Sequence, residues 1–239
     1  MVNYFPIILA VFFGTIPAIL WLWFFLAEDK NPESKKTIIE VFLYGMLFAL
    51  ITLYALYFIK PYLAFFLLII IPAFSEEITK YLAFRFSAHK HHELDEPVDF
   101  MIYLITAALG FAAMENILMS FSSFLINPGI MPMFVLNIIR FMGATFLHAL
   151  VSAILGYFIA LSFYNLKNKI KTMITGFVLA TFLHILFNLT MIKIIQATKL
   201  NVLILYIFLL AILMIGMLIF IFKCFKKLKK LKSICQMNS

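Results

Sequence analysis

The sequence predicts an all-α fold: a polytopic helical membrane bundle of about seven transmembrane helices. Three observations carry that prediction. Of the 239 residues, 65% are hydrophobic and only 13% charged, against about 25% charged in an ordinary soluble domain. The apolar residues come in long unbroken runs, each near the roughly 20 residues that cross a bilayer as helix. The short alternating segments of a membrane β-barrel are missing. The same composition excludes disorder, collagen and a disulfide scaffold.

Taken in order, the spans are expected over residues 4–27, 37–59, 61–86, 99–126, 132–163, 170–195 and 200–222. The first has no basic leader and is too long for a signal peptide; Trp21 and Trp23 stand where an interfacial belt would sit. The loop before the second span holds Lys30, Lys35 and Lys36, and the turn after the third holds Arg85 and Lys90. Lys167, Lys169 and Lys171 follow the fifth span. Past the seventh come Lys223, Lys226, Lys227, Lys229, Lys230 and Lys232. These fourteen basic residues fall on one side, against Lys60, Lys193 and Lys199 on the other. The positive-inside rule then places the N-terminus outside and the C-terminus in the cytoplasm, which needs an odd number of spans.

The net charge of +8 is thus mostly topology. The basic tail, residues 223–239, interleaves lysines with Leu228 and Leu231 and suits anionic lipid head groups of the bilayer rather than nucleic acid. Cys224 and Cys235 lie in that tail, too close to staple a fold and reduced in the cytoplasm; Cys224, just past an apolar run, is placed where lipidation is conceivable, although two inert thiols are the plainer reading.

Ionisable residues inside spans are costly, about 2.5–3.5 kcal/mol each on insertion scales, and mark function by default. Span three carries Glu76, Glu77 and Lys80; span four Glu115 and Asn116; span five Arg140 and His148, with Ser152 one turn on; span six His184 and Asn188. At about 1.5 Å per residue, Glu76 lies about 15 Å from the cytoplasmic end, Glu115 about 24 Å, His148 about 22 Å and His184 about 21 Å. These can meet near one level. Arg140, about 34 Å deep, is expected to snorkel to the outer surface and stay out of the site. Lys80, one turn from Glu76, is expected to pair with it or to cap the site from below. Asn116 and Ser152 also read as ordinary packing hydrogen bonds.

Carboxylates and imidazoles are general acids and bases. No span holds a cysteine, a Gly-flanked serine, a GxGD-like aspartate pair or an HExxH helix, so among hydrolytic mechanisms activated water remains. A transporter or proton channel is the rival class, since mid-membrane Glu and His also build proton relays; no inverted repeat or pair of broken helices supports it.

At these residues the chain resembles the PrsW family of bacterial intramembrane proteases, relatives of the CAAX prenyl endopeptidases and the Abi/CPBP group. The EExxK motif corresponds to Glu76-Glu77-Ile-Thr-Lys80 and FxxxEN to Phe111-Ala-Ala-Met-Glu115-Asn116; the histidine motifs correspond to His148 and to His184 with Asn188. Asp95-Glu-Pro-Val-Asp99, Tyr103 and Gly110 look like the segment before the second motif. Pro17, Trp21 and Asp29-Lys-Asn-Pro-Glu33 look like the family's first span and loop. The likeness covers roughly residues 10–195. The prenyl endopeptidases carry His where this chain has Glu115, so their metal-free mechanism is not carried over.

The resemblance implies a single transmembrane catalytic domain over residues 1–222 in the bacterial plasma membrane. It also implies hydrolysis of a peptide bond in a single-span membrane protein, an anti-sigma factor, cut first at its extracytoplasmic side; a non-catalytic relative is a further alternative. On this reading Glu76, with Glu77 in reserve, takes the proton from water. Glu115 and His148 position that water or, with His184, bind zinc, while His184 and Asn188 donate to the oxyanion. Lys80 and Asn116 support them. A zinc ion and a metal-free site with protonated Glu or Lys80 compensation both answer the repulsion of three carboxylates. The stretch His89-Lys-His-His-Glu93 reads as a solvated loop, with metal binding or pH sensing as its sharper alternative.

Overall fold

The computed structural model describes residues 4–29, 31–64, 66–88, 94–164 and 166–231. The His89–Glu93 stretch, Lys30, Lys90, Lys232 and Cys235 lie outside them. Among the described residues, eight α-helices follow in order: α1 (Phe5–Leu26), α2 (Lys35–Ile59), α3 (Leu67–Ser87), α4 (Asp99–Ile126), α5 (Ile130–Arg140), α6 (Phe146–Tyr164), α7 (Lys169–Ile195) and α8 (Leu200–Leu228). Pro6 opens α1, where its missing N–H costs nothing. Ser34 caps α2 by accepting from the Thr37 amide.

The bundle is built around α4. Every residue from Asp99 to Ala113 is buried, because α1 and α2 pack along it from one side, α6 from another, and α3 and α5 touch it as well. α7 lies against α3, α6 and α8. Small residues allow this closeness: a Cβ on Gly45 would meet the Ala107 carbonyl oxygen at 2.1 Å, and one on Gly110 the Phe42 carbonyl oxygen at 2.0 Å. Backbone-to-backbone approach at small residues is how helices associate where lipid removes the hydrophobic drive.

Among the described residues, six helical stretches, counting Ile130–Phe163 as one, are long and apolar enough to cross a membrane. The seventh expected span, α3, carries Glu76, Glu77, Lys80 and Arg85. It nevertheless runs from one end of the bundle to the other. Lys229, just past α8, bonds Glu28, just past α1, at 2.8 Å. Asn31 donates to Glu96, and the hydroxyl of Tyr103 in α4 to Glu33. The α1–α2 loop, the α3–α4 loop and the end of α8 therefore share one end, which requires α3 to traverse.

Four expectations need correction. Span three starts at Leu67 rather than Pro61, after a 3₁₀ turn at Lys60–Tyr62. Span five is not one regular helix: a π-helical turn, Phe141–Thr145, separates α5 from α6. α8 continues to Leu228, so Cys224 is helical and buried rather than in the tail, which disfavours the lipidation alternative and agrees with the plainer reading of an inert thiol there. Trp23 is exposed as an interfacial residue should be, but Trp21 is not. Its indole N–H donates to the Phe141 carbonyl at 2.9 Å and its ring stacks on Phe146 at 4.0 Å. That bond satisfies a carbonyl in the stretch where the helical ladder is irregular.

Candidate active site

α3 presents Glu76 and Glu77 to opposite duties. The Glu77–Lys80 pair, three residues apart, is closed from solvent and lipid alike: Lys80 Nζ lies 2.6 Å from Glu77 Oε1, and both side chains are fully buried. The expected Lys80–Glu76 pair is therefore not what forms. Glu77 Oε1 also accepts from His184 Nδ1 at 2.8 Å, which orients that ring from across the bundle. Glu76 has no such anchor; its nearest ionic neighbour is His184 Nε2 at 3.7 Å. It faces a cavity that Glu77 does not line.

On α4, Glu115 Oε2 is held twice. Arg140 Nη2 donates to it at 2.6 Å, and His148 Nε2 donates at 3.2 Å. Arg140 thus turns inward into the site rather than snorkelling outward. An ionised Glu115 inside the bundle would otherwise lack a cation, and the pairing outweighs the reach to the surface. Arg140 Nε also donates to the side chain of Asn116, whose amide donates to Thr145 Oγ1 at 2.9 Å and to the Gly14 carbonyl at 3.3 Å. Phe111, first residue of the FxxxEN stretch, sits between the Lys80 ammonium, 5.4 Å from its ring centre, and the His148 ring at 5.7 Å.

The two histidines meet edge to face, 5.3 Å between ring centres. One donor atom from each of Glu76, His148 and His184 lies within 4.8 Å of the others, all three residues buried. This set has Glu76 where the sequence reading had Glu115, because Glu115 is already committed to Arg140. The donor chemistry fits a divalent cation. With Nδ1 donating to Glu77, His184 Nε2 carries a lone pair, and it confronts the Glu76 carboxylate at a distance too long for a hydrogen bond. His148 Nδ1 is buried without a hydrogen-bond partner. Each histidine is gripped on its other nitrogen by a carboxylate, as metal-ligating imidazoles usually are.

These groups line a cavity of about 730 Å³. Its remaining wall comes from the C-terminal half of α4 (Met119), from α5 and the π turn (Leu136, Gly143), the last turns of α7 (Asn188, Ile195) and the start of α8 (Ile207). Ile195 and Ile207 are also exposed, so the cavity reaches the flank of the bundle near the α4–α5 and α7–α8 connections. Asn188 shares its wall with His184, one helical turn away.

A second group of carboxylates, Asp29, Glu33 and Asp99, gathers at the opposite end. Asp99 Oδ2 accepts from the Asp95 and Glu96 amides at 3.0 and 2.6 Å, which ties the α3–α4 loop to the start of α4. Burial pushes the Asp29 carboxyl above its ordinary range.

The sequence reading missed Arg140 as a member of the site and missed the π turn that presents it. Gly143 inside the turn was the one local signal.

A family profile described as PrsW family intramembrane metalloprotease matches residues 33–217. Curated relatives named Protease PrsW also resemble the chain. That of Oceanobacillus iheyensis is 30% identical over 179 residues, covering 73% of this chain and 79% of the relative. That of Geobacillus kaustophilus is 28% identical over 72% and 74%, and that of Bacillus subtilis 26% identical over 72% and 77%. No solved structure matches the chain significantly.

Proposed function

The chain belongs to the PrsW family of intramembrane proteases, and from that premise we propose that it cleaves a single-span membrane protein by water activated at Glu76, His148 and His184. The observation that carries this is the convergence of those three side chains, from α3, α6 and α7, within 4.8 Å at a cavity inside the bundle. Glu76, His148 and His184 would hold a divalent cation, zinc by donor type. When bound it supplies Lewis acidity and makes water acidic enough to deprotonate near neutral pH.

The chain's own groups do the rest. Glu76 is the one carboxylate of the three not held by a cation side chain; with two oxygens it can ligate with one and accept the water proton with the other. Glu77 and Glu115 keep the two imidazoles oriented. Asn188 donates its amide hydrogens to the oxyanion that forms on the scissile carbonyl. Three carboxylates against Lys80 and Arg140 leave one negative charge among these groups, which favours a cation there.

The cavity opens toward the α4–α5 and α7–α8 connections, the end that the basic residues put outside. Together with the family resemblance, that supports an anti-sigma factor cut near its extracytoplasmic side. The protein then sits in the bacterial plasma membrane with its N-terminus outside, residues 1–222 forming one catalytic unit ahead of a cytoplasmic basic stretch.

The test is cleavage of a tagged single-span substrate by the purified full-length protein in liposomes. Glu76→Gln should abolish cleavage, and a chelator should do so reversibly on adding zinc. Asn188→Ala should lower kcat about 10²–10³-fold with KM little changed, since the donor acts in the transition state. Proton flux through the wild type without any cleavage would transfer the assignment to a proton pathway.

A further inference from the structure

The site contains the same chemical order twice. Lys80 holds Glu77, which holds His184 Nδ1, with contacts of 2.6 and 2.8 Å. Arg140 holds Glu115, which holds His148 Nε2, with contacts of 2.6 and 3.2 Å. The first chain lies within the EExxK stretch and across to α7. The second depends on an arginine outside every stretch that pointed to the site. We propose that Arg140 is a positioning residue of the active site: its guanidinium fixes the Glu115 carboxylate against His148 Nε2, so that Nδ1 of that ring keeps its lone pair. This rests on the use of His148 in the reading above.

The geometry is that of a planar fork. Arg140 donates through Nη2 to Glu115 and through Nε to Asn116, two successive residues of α4. Two donors in one plane fix direction as well as distance, which a lysine ammonium cannot do. Asn116 is itself anchored to α1 at Gly14 and to Thr145 in the π turn. The backbone beside Arg140 is held as well, since Trp21 donates to the Phe141 carbonyl at 2.9 Å and stacks on the Phe141 ring at 5.1 Å. The arginine is therefore presented by a clamped turn onto a clamped partner.

The consequence for His148 is tautomeric. A carboxylate accepts only, so while Glu115 stays at Nε2 that nitrogen carries the ring proton and Nδ1 does not. Among the described residues Nδ1 is buried and has no hydrogen-bond partner, so the Glu115 contact at Nε2 is what selects this tautomer. Without Arg140 the Glu115 carboxylate loses the cationic anchor that holds it, and the ring is free to populate both forms.

The experiment uses full-length protein purified in detergent, labelled with ¹⁵N-histidine, with His148→Gln assigning its ring resonances. In the wild type, His148 should show the Nε2-protonated form alone. In Arg140→Gln it should show both tautomers, with kcat and zinc affinity each down about 10–100-fold, the usual cost of losing an outer-shell partner, and KM within about twofold. Arg140→Lys should fall between. A wild-type ring pattern in Arg140→Gln overturns the proposal whatever happens to cleavage. So does a raised KM with unchanged kcat, which would make Arg140 a substrate contact. If Arg140→Gln does not fold, Arg140→Lys decides: mixed tautomers support the assignment, and a wild-type pattern with wild-type kcat overturns it. A wild type that binds no zinc refutes the metal part of the preceding reading, and the ring pattern still decides this one.

Discussion

Lys80 and Arg140 determine which carboxylates are free for chemistry. Glu77 and Lys80 are both fully buried and 2.6 Å apart, so each offsets the other's cost as a buried charge, with His184 adding a hydrogen bond to Glu77. Removing one partner of such a pair costs about 3–5 kcal/mol, while replacing both can be nearly neutral. Lys80→Met should therefore lower the thermal unfolding temperature in detergent strongly. Lys80→Met combined with Glu77→Gln should recover most of that loss without recovering cleavage, because His184 still lacks its carboxylate. A double variant as unstable as Lys80→Met alone would mean that Lys80 acts through packing on Phe111, not through charge. The acidic and histidine members of this site were legible because each interrupts an apolar run, where an ionisable group is expensive. Their pairing was not legible. Glu76 and Glu77 are adjacent and differ only in helical azimuth, and Lys80 lies within reach of either. Arg140 was misread because depth was counted along a straight helix, and depth alone does not tell which way a long side chain turns.

At the scale of elements, the boundaries of α1, α2, α4 and α7 follow hydropathy closely, since lipid thickness and helix rise set the same length. The division of span five into α5, π turn and α6 does not follow from it, because a π turn keeps the apolar pattern and changes only the hydrogen-bond spacing. The central position of α4 could have been suspected from the small residues Ala107, Ala108, Gly110, Ala112 and Ala113, all of them buried. Gly110 touches the α2 backbone at Phe42, and Gly45 answers from α2 at Ala107. A side chain at Gly110 would need α2 to move, because the obstacle is a carbonyl oxygen and not the end of a flexible chain. Gly110→Val should cost about 1–3 kcal/mol, the usual range for overpacking, seen as a lower unfolding temperature. It should also lower cleavage, since α4 carries Glu115 five residues further on. Gly216, with open space around its Cβ position, is the matched control, and Gly216→Val should leave both measurements near wild type. Equal effects at the two glycines would refute the close α2–α4 crossing.

The whole molecule has a parity that the cavity depends on. If α3 did not traverse, the loop after α1 and the end of α8 would emerge at opposite ends of the bundle. The Glu28–Lys229 pair at 2.8 Å and the Asn31–Glu96 contact hold them at the same end. Hydropathy alone undercounts here, because Glu77 and Lys80, which make α3 look unfit for lipid, are fully buried and paired with each other, and Glu77 bonds His184 of α7 as well. For the absolute direction, which internal contacts cannot supply, the basic residues carry the expectation. Lys35, Lys36, Arg85, Lys167, Lys169, Lys223, Lys226, Lys227, Lys229 and Lys230 lie on helix ends or connections at the Glu28–Lys229 end, the end that the proposed orientation puts in the cytoplasm by the positive-inside rule. On that orientation the cavity, near the opposite connections, is expected to face outward. A fluorescent protein fused after Ser239 should be bright, since it folds in the cytoplasm, and alkaline phosphatase at the same place should be inactive. Alkaline phosphatase inserted in the α7–α8 connection should be active. Activity at both insertion points would deny α8 a crossing, and the reverse pattern would turn the cavity toward the cytoplasm, remove the argument for cleavage on the outer side, and leave the Glu76–His148–His184 cluster itself untouched.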